Sequence, residues 1–148
     1  MASRAPVRGS CLCGAIRFEV DRFEGPFEQC HCTRCRKASG SAFLAGLVAA
    51  RADFRWVAGA ELVQRYEAPL LHAPPSYVRS FCPRCGGLAP HVPDQAASIE
   101  IPAGLLDDDP GLRPDKHIFV EHKAPWHAPD RSLPALTSEQ IRALRSRS

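Results

Sequence analysis

The sequence has no long apolar run. Its longest uncharged apolar stretch covers residues 42–50, whereas a helix that spans a bilayer needs about 20 predominantly apolar residues. The first residues also lack the apolar segment that marks a secretion signal. We therefore expect a cytoplasmic protein with no membrane partner.

A strong excess of charge of one sign is also missing. Nineteen Lys and Arg stand against 16 Asp and Glu, which gives a formal net charge of +3. Nucleic-acid binding usually requires a dense basic face, so we expect no nucleic-acid partner. We find no internal repeat and no low-complexity linker. The sequence predicts a single domain over residues 1–148, with a core at about 9–127 and a C-terminal extension at 128–148.

Proline and glycine are plentiful, with 14 and 10 residues, so many turns are expected, including one at 74–75. Helix is favoured at two places only, a short turn at 33–39 and residues 137–145, where Thr137 and Gln140 fit a capping box. Many short strands between turns predict a mainly β fold, a small antiparallel domain with a short C-terminal helix. Strands are predicted at residues 14–23, 42–50, 53–57, 62–67, 77–82, 97–102 and 116–121.

Cysteine is the residue type that carries chemistry here. Seven cysteines fall into three groups along the chain. An odd count does not suit a pure disulfide framework, and cytoplasmic thiols stay reduced, so the pattern favours metal binding. A bound metal would also stabilise a small, loop-rich sheet protein, because metal-binding free energy becomes folding free energy.

The last group has the form of a zinc knuckle. Cys82 and Cys85 are separated by two residues and followed by two glycines, which allow a tight turn around a metal. Cys11 and Cys13 precede one predicted strand, and Cys82 ends another, so the two pairs can meet. Four thiolates leave no open coordination position, which is typical of a structural zinc site.

The middle group differs, because Cys30, Cys32 and Cys35 place three thiols within one turn. Three protein ligands and an open position are the pattern of a catalytic zinc. A soft, all-sulfur ligand set suits a thiol as the fourth ligand, and a coordinated thiol becomes a thiolate. We therefore expect a thiol substrate at this site.

The residues alone leave three alternatives open. All seven cysteines could be reduced and buried without a metal. His31 or a distant histidine could complete the middle site and close it. Cys30 and Cys32 could instead pair with the knuckle, since sequence spacing does not decide the pairing.

Five spaced motifs stand out along the chain. They are Gly9-x-Cys11-x-Cys13-Gly14-x-Ile16, Cys30-His31-Cys32-x-x-Cys35-Arg36-x-x-x-Gly40, Phe81-Cys82-x-x-Cys85-Gly86, Gly104-Leu105-Leu106-Asp107-Asp108, and Pro114-x-x-His117-Ile118-Phe119 followed by Lys123-x-x-Trp126. In this order they resemble the motifs of the glutathione-dependent formaldehyde-activating enzyme family, which includes centromere protein V. The resemblance covers about residues 9–127.

This resemblance implies a zinc-stapled, mostly antiparallel architecture called a β-tent, with two Zn²⁺ per chain. It also implies a carbon–sulfur lyase of the S-hydroxymethylglutathione synthase type, which joins the thiol of glutathione to formaldehyde. Its ligand assignment makes Cys11, Cys13, Cys82 and Cys85 the structural zinc ligands, and Cys30, Cys32 and Cys35 the catalytic ones.

Two other functions are considered. A carrier could hold glutathione or another small thiol on zinc without turnover. A chromatin-associated role is suggested by the centromere relative, but the small net charge counts against it. The oligomeric state is left open, with a homodimer as one option.

Several other side chains have two interpretations. His31 lies between two candidate ligands and, in strand-like geometry, points away from the metal, which favours a supporting or surface role. Arg36 and Lys37 either attract glutathione carboxylates or are solvated charges. His117 is expected to be a hydrogen-bonded core histidine.

The remaining candidates are expected to be structural. Both tryptophans are predicted to pack in the core or at its rim, and the basic tail at 142–147 is predicted to be a solvated helix end. The other histidines considered show no ligand spacing among themselves. The tryptophans are Trp56 and Trp126, and the histidines are His72, His91, His122 and His127.

Overall fold

The computed structural model describes residues 4–68 and 77–147, and over these residues the chain forms ten strands and two α-helices. The prediction of a mainly β fold with a short C-terminal helix is confirmed. The helices are α1 (Thr33–Ser39) and α2 (Ser138–Ser146). The strands are β1 (Val7–Ser10), β2 (Arg17–Val20), β3 (Phe27–Cys30), β4 (Leu44–Ala50), β5 (Phe54–Ala58), β6 (Gln64–Glu67), β7 (Val78–Phe81), β8 (Ser98–Pro102), β9 (Lys116–Ile118) and β10 (Ala135–Leu136).

The chain divides into two compact units. Unit 1 consists of Met1–Gly25 and Leu47–Leu112, and unit 2 consists of Pro26–Gly46 and Arg113–Ser148. The single domain inferred from the sequence stays a prediction.

Unit 1 is built on an antiparallel sheet in the order β1-β2-β5. Alternate side chains of β2 point into the core, where Phe18 and Val20 are buried together with Phe54 of β5. The rings of Phe18 and Phe54 stack with their centroids 5.5 Å apart. Burying such aromatic and branched side chains stabilises the unit by about 1.5–3 kcal/mol each.

A second cluster of buried side chains in unit 1 includes cysteines. Ile16 and Ala89 pack with Cys11 and Cys82, all of them 5% exposed or less. The antiparallel pair β6–β7 leads directly to Cys82, because β7 ends at the preceding residue. The ends of two strands therefore meet at the cysteines, as the sequence predicted.

Unit 2 contains β9, which pairs in parallel with both β3 and β10. Parallel partners need a long connection rather than a hairpin, and β3 and β9 are far apart in the sequence. The expected antiparallel arrangement therefore holds for β1–β2, β2–β5 and β6–β7, whereas both of these pairings of β9 are parallel.

Helix α2 ends unit 2 and begins as predicted. The Thr137 side chain accepts a hydrogen bond from the Gln140 amide while the Gln140 side chain accepts one from the Thr137 amide. Ile141 faces the interior and is 1% exposed. Within the predicted solvated tail, Arg145 donates to buried Glu28 over 3.2 Å.

The structure also corrects strand boundaries. The strand predicted at 14–23 is limited to Arg17–Val20. The strand predicted at 116–121 ends at Ile118, because Phe119 adopts a left-handed conformation with φ of 56° and a 3-10 turn follows. Strands β1, β3 and β10 were not predicted. His72 and the turn at 74–75 lie outside the described residues. In the part of the chain that the structure describes, no helix has the length and apolar character needed to cross a membrane.

Candidate metal centres

Four cysteines come together in unit 1. The Sγ atoms of Cys11, Cys13, Cys82 and Cys85 all lie within 4.8 Å of one another. The Cys11–Cys13 and Cys13–Cys82 sulfur distances are 3.7 Å and 3.9 Å. Zn–S bonds of about 2.3 Å in a tetrahedron require sulfurs about 3.8 Å apart. The donor set and its spacing therefore fit a zinc ion with four thiolate ligands.

Two tight turns create this spacing. In the first, the Gly14 amide donates to the Cys11 carbonyl over 3.0 Å, and Gly14 has a φ of 78°. In the second, the Gly86 amide donates to the Cys82 carbonyl over 2.7 Å, and Gly86 has a φ of 72°. Left-handed φ values are easily adopted by glycine, which is why glycine follows each cysteine pair.

Backbone amides point at the sulfurs of this site. Burial raises the pKa of Cys11, but hydrogen bonds from the Ile16 amide and from neighbouring sulfurs outweigh burial and lower it to about 6. The pKa of Cys85 is lowered, first of all by the Gly87 amide. Thiolates are the form that binds a metal, so these amides favour metal binding.

The other three cysteines come together in unit 2. The sulfurs of Cys30, Cys32 and Cys35 also lie within 4.8 Å of one another. Among residues 4–68 and 77–147, no fourth Cys, His, Asp or Glu donor belongs to this group. The arrangement can hold a metal through three thiolates and leaves a coordination position for an exogenous ligand.

Helix α1 presents two of these sulfurs. Cys32 is its N-cap residue, and the Cys32 sulfur accepts a hydrogen bond from the Cys35 amide over 3.3 Å. The helix ends at Gly40, whose φ is 64°. The predicted bounds of this helix, residues 33–39, are confirmed.

The three thiols do not ionise alike. Hydrogen bonds from the Cys30 and Cys35 thiols, with help from the Cys35 amide and the charge of Arg34, lower the pKa of Cys32 to about 2. The hydrogen bond with Cys32 raises the pKa of Cys30 to about 12, and the bonds with Cys30 and Cys32 raise that of Cys35. The Cys32 thiol is therefore the first of the three to ionise, and a bound cation would favour ionisation of the other two.

His31 lies between two of these cysteines but is not a surface residue. It is fully buried, and its Nε2 lies 3.0 Å from Nδ1 of His117. The His31 ring is not part of the group of candidate donors. Burial, followed by the charges of His117, His127 and Lys123, lowers the pKa of His31 to about 4. His31 is therefore a neutral supporting residue at pH 7, and the surface role considered for it is wrong.

His117 is the hydrogen-bonded core histidine that the sequence predicted. It is 1% exposed, and its Nε2 lies 3.0 Å from the carbonyl oxygen of Asp130. The contact with His31 was not predicted, because 86 residues separate the two histidines and no spacing rule connects them.

The tryptophans differ from each other. Trp56 packs on the core of unit 1 as predicted, with its ring edge-on to Phe54 at 4.9 Å. Trp126 is 72% exposed, so core packing is wrong for this residue. The centroid of its ring lies 6.1 Å from the centroid of the His127 ring.

Comparison with known proteins identifies the family. The sequence model described as "Glutathione-dependent formaldehyde-activating enzyme" matches residues 6–122. The chain belongs to this family. A Halomonas elongata protein that bears the same family name is 33% identical over 126 residues, which are 81% of this chain and 78% of the relative. The crystal structure of a Rhodobacter sphaeroides protein is similar, with a TM-score of 0.52, 26% identity, and coverage of 72% of this chain and 91% of that one.

Both groups of cysteines lie within the matched residues, and α2 lies outside them. The suspected family membership is confirmed. Glutathione and formaldehyde are thereby supported as substrates at the level of the family.

Proposed function

We propose that this protein is a zinc-dependent enzyme of the carbon–sulfur lyase class, which joins glutathione to formaldehyde to give S-hydroxymethylglutathione. In this proposal Cys11, Cys13, Cys82 and Cys85 hold a structural zinc. Cys30, Cys32 and Cys35 hold a catalytic zinc. The observation that carries the proposal is the group of three sulfurs with no fourth protein donor among the described residues.

The reaction is an addition and needs no oxidant or reductant. The sulfur of the thiol forms a bond to the aldehyde carbon, and the C=O double bond becomes a single bond. The proton that the thiol loses is balanced by the proton that the aldehyde oxygen gains. A zinc ion at the three-thiolate site would supply a positive charge that stabilises the thiolate form of the substrate.

The side chains around this site have roles in binding and orientation. Helix α1 fixes Cys32 and Cys35 on one short turn, so the open position has a defined direction. Arg36 and Lys37 lie on the same helix and carry the positive charges that suit the two carboxylates of glutathione. The reducing cytoplasm, which we propose as the location, keeps these thiols available for metal.

The proposal is tested by adduct formation from glutathione and formaldehyde, compared with the uncatalysed rate. The wild type, loaded with two zinc ions, should accelerate the reaction, and Cys32→Ser should abolish the acceleration because it removes a ligand. Lys37→Gln should raise KM and leave kcat nearly unchanged, because it removes only binding charge. No acceleration by fully loaded wild type would exclude this pair of substrates.

A titration with glutathione distinguishes the enzyme from a carrier. Saturable binding to the wild type that disappears in Cys32→Ser, without any acceleration of adduct formation, would favour a thiol carrier. Binding together with acceleration supports the enzyme.

A further inference from the structure

The loop that carries Cys30 and Cys32 is attached to β9 through its backbone. The His31 amide donates to the carbonyl of Ile118 over 3.0 Å. In the parallel register, Cys30 lies opposite Ile118 and Gln29 lies opposite His117. Residue 117 is therefore placed beside the loop by the strand pairing itself.

A line of side-chain hydrogen bonds runs behind the same loop. Nε2 of His31 lies 3.0 Å from Nδ1 of His117, and Nε2 of His117 lies 3.0 Å from the Asp130 carbonyl oxygen. A carbonyl oxygen only accepts, so Nε2 of His117 donates to it. Nδ1 of a neutral His117 is then an acceptor, and His31 donates to it from Nε2. The network thus assigns one order of donors and one tautomer to each ring.

This line restricts the movement of His31. The ring is fully buried, with Phe43 and His127 packed around it at centroid distances of 5.3 Å and 5.7 Å. Rotating it would leave a buried N–H without its partner, which is costly. Cys30 and Cys32 are its two chain neighbours, so a fixed His31 also restricts the directions of their sulfurs.

We propose that His117 is a positioning residue, which acts through His31 to hold the Cys30 and Cys32 sulfurs in the arrangement that binds a metal. The inference rests on the three-thiolate site of the proposed function. It concerns metal binding, not the reaction with aldehyde, so it is measured without thiol or aldehyde. Asp130 contributes the carbonyl that sets the orientation of His117.

Two substitutions at this position each preserve one of its two hydrogen bonds. In His117→Asn the side-chain oxygen is attached to Cγ, as Nδ1 is, and can accept from His31, but the bond to Asp130 is lost. In His117→Gln the side-chain nitrogen takes the place of Nε2 and can donate to Asp130, but no acceptor stands where Nδ1 was. The two variants are therefore matched in the number of bonds lost.

The experiment is a competition between each protein and a chromophoric chelator for Zn²⁺, repeated with Co²⁺. His117→Gln should raise the Kd of the three-thiolate site about tenfold, which is at the lower end of the effects seen when residues that support metal ligands are changed. The Kd of His117→Asn should stay within about twofold of the wild-type value. The four-thiolate site should keep its affinity in both variants and serves as the internal reference for folding.

Equal losses of metal affinity in the two variants would show that residue 117 matters only through general packing, which would overturn its positioning role. If the wild type binds two metals per chain but the two variants have the same Kd at the three-thiolate site, this inference alone is overturned. If the wild type binds only one metal per chain, the proposed site is overturned as well. A measurement on the wild type adds an independent test. ¹⁵N NMR should find the His31 proton on Nε2, and a proton on Nδ1 would contradict the order of donors.

Discussion

At the scale of single residues, Gly9 shows why the cysteine motif begins with glycine. Gly9 lies in β1 opposite Phe18 in the antiparallel register. A Cβ atom at this position would lie 2.2 Å from Cζ of the Phe18 ring and within 2.8 Å of two further ring atoms. The ring is 1% exposed and belongs to the core of unit 1. Gly9, two residues before Cys11, therefore has no side chain because the Phe18 ring of the core occupies that space.

We predict that Gly9→Ala destabilises the protein by about 1–3 kcal/mol, as overpacking of a core does. The measurement is urea-induced unfolding followed by circular dichroism, with zinc present throughout. Gly104→Ala is the matched control, because a Cβ there meets no atom within 4 Å, and it should change the free energy of unfolding by less than about 0.5 kcal/mol. Similar losses in the two variants would contradict the steric explanation.

At the scale of elements, α2 shows how a segment beyond the family match is attached to unit 2. Ile141 supplies the buried apolar contact, while Arg145 and Lys116 both pair with the carboxylate of Glu28, which is 5% exposed. Glu121 accepts hydrogen bonds from the amide and hydroxyl of Ser138 at the start of the helix. A buried charge needs such partners, so the helix and Glu28 stabilise each other.

We predict that Ile141→Ala lowers the free energy of unfolding by about 2–5 kcal/mol, because it deletes a fully buried branched side chain. Leu144→Ala provides the control on the same helix, since Leu144 is 44% exposed. Its effect should stay within about 0.5 kcal/mol. Chemical denaturation of both variants provides the comparison, and a larger loss for Leu144→Ala would mean that the buried face of α2 is assigned wrongly.

At the scale of the whole molecule, each candidate metal centre lies inside one unit. All four cysteines of the first group belong to unit 1, and all three of the second belong to unit 2. A site whose ligands are all in one unit can form without the other site. Metal ions held at the two centres could therefore be lost separately.

We predict that Cys82→Ser and Cys35→Ser each reduce the zinc content from two ions per chain to one, as measured by elemental analysis. Cys82→Ser should also lower thermal stability and the yield of folded protein, because it opens a fully ligated site that contributes to folding. Cys35→Ser should chiefly remove the second zinc and the activity. Equal thermal destabilisation by both substitutions would disprove this division of roles.

The sequence predicted the parts of this molecule that depend on local spacing. Cysteine spacing indicated both groups of thiols, and the capping pattern of Thr137 and Gln140 located α2. Strands β1, β3 and β10 were missed because two to four residues without clear alternation carry little periodic signal. The contact between His31 and His117 was missed for a different reason. The two histidines are 86 residues apart, and the parallel pairing of β3 with β9 that brings them together leaves no mark in the spacing of either segment.

Cys32 combines two roles, helix capping and candidate metal ligation, that a substitution could separate. Its sulfur caps α1 and is also a candidate metal ligand, although Asp, Asn, Ser and Thr are the usual helix caps. An aspartate at residue 32 could still accept the Cys35 amide, but it would offer a hard oxygen in place of a soft sulfur. The helix would be retained while the preference of the site moved from thiophilic towards oxophilic ions. The helix requires only a hydrogen-bond acceptor at this cap, whereas the choice of sulfur as that acceptor favours thiophilic metal ions.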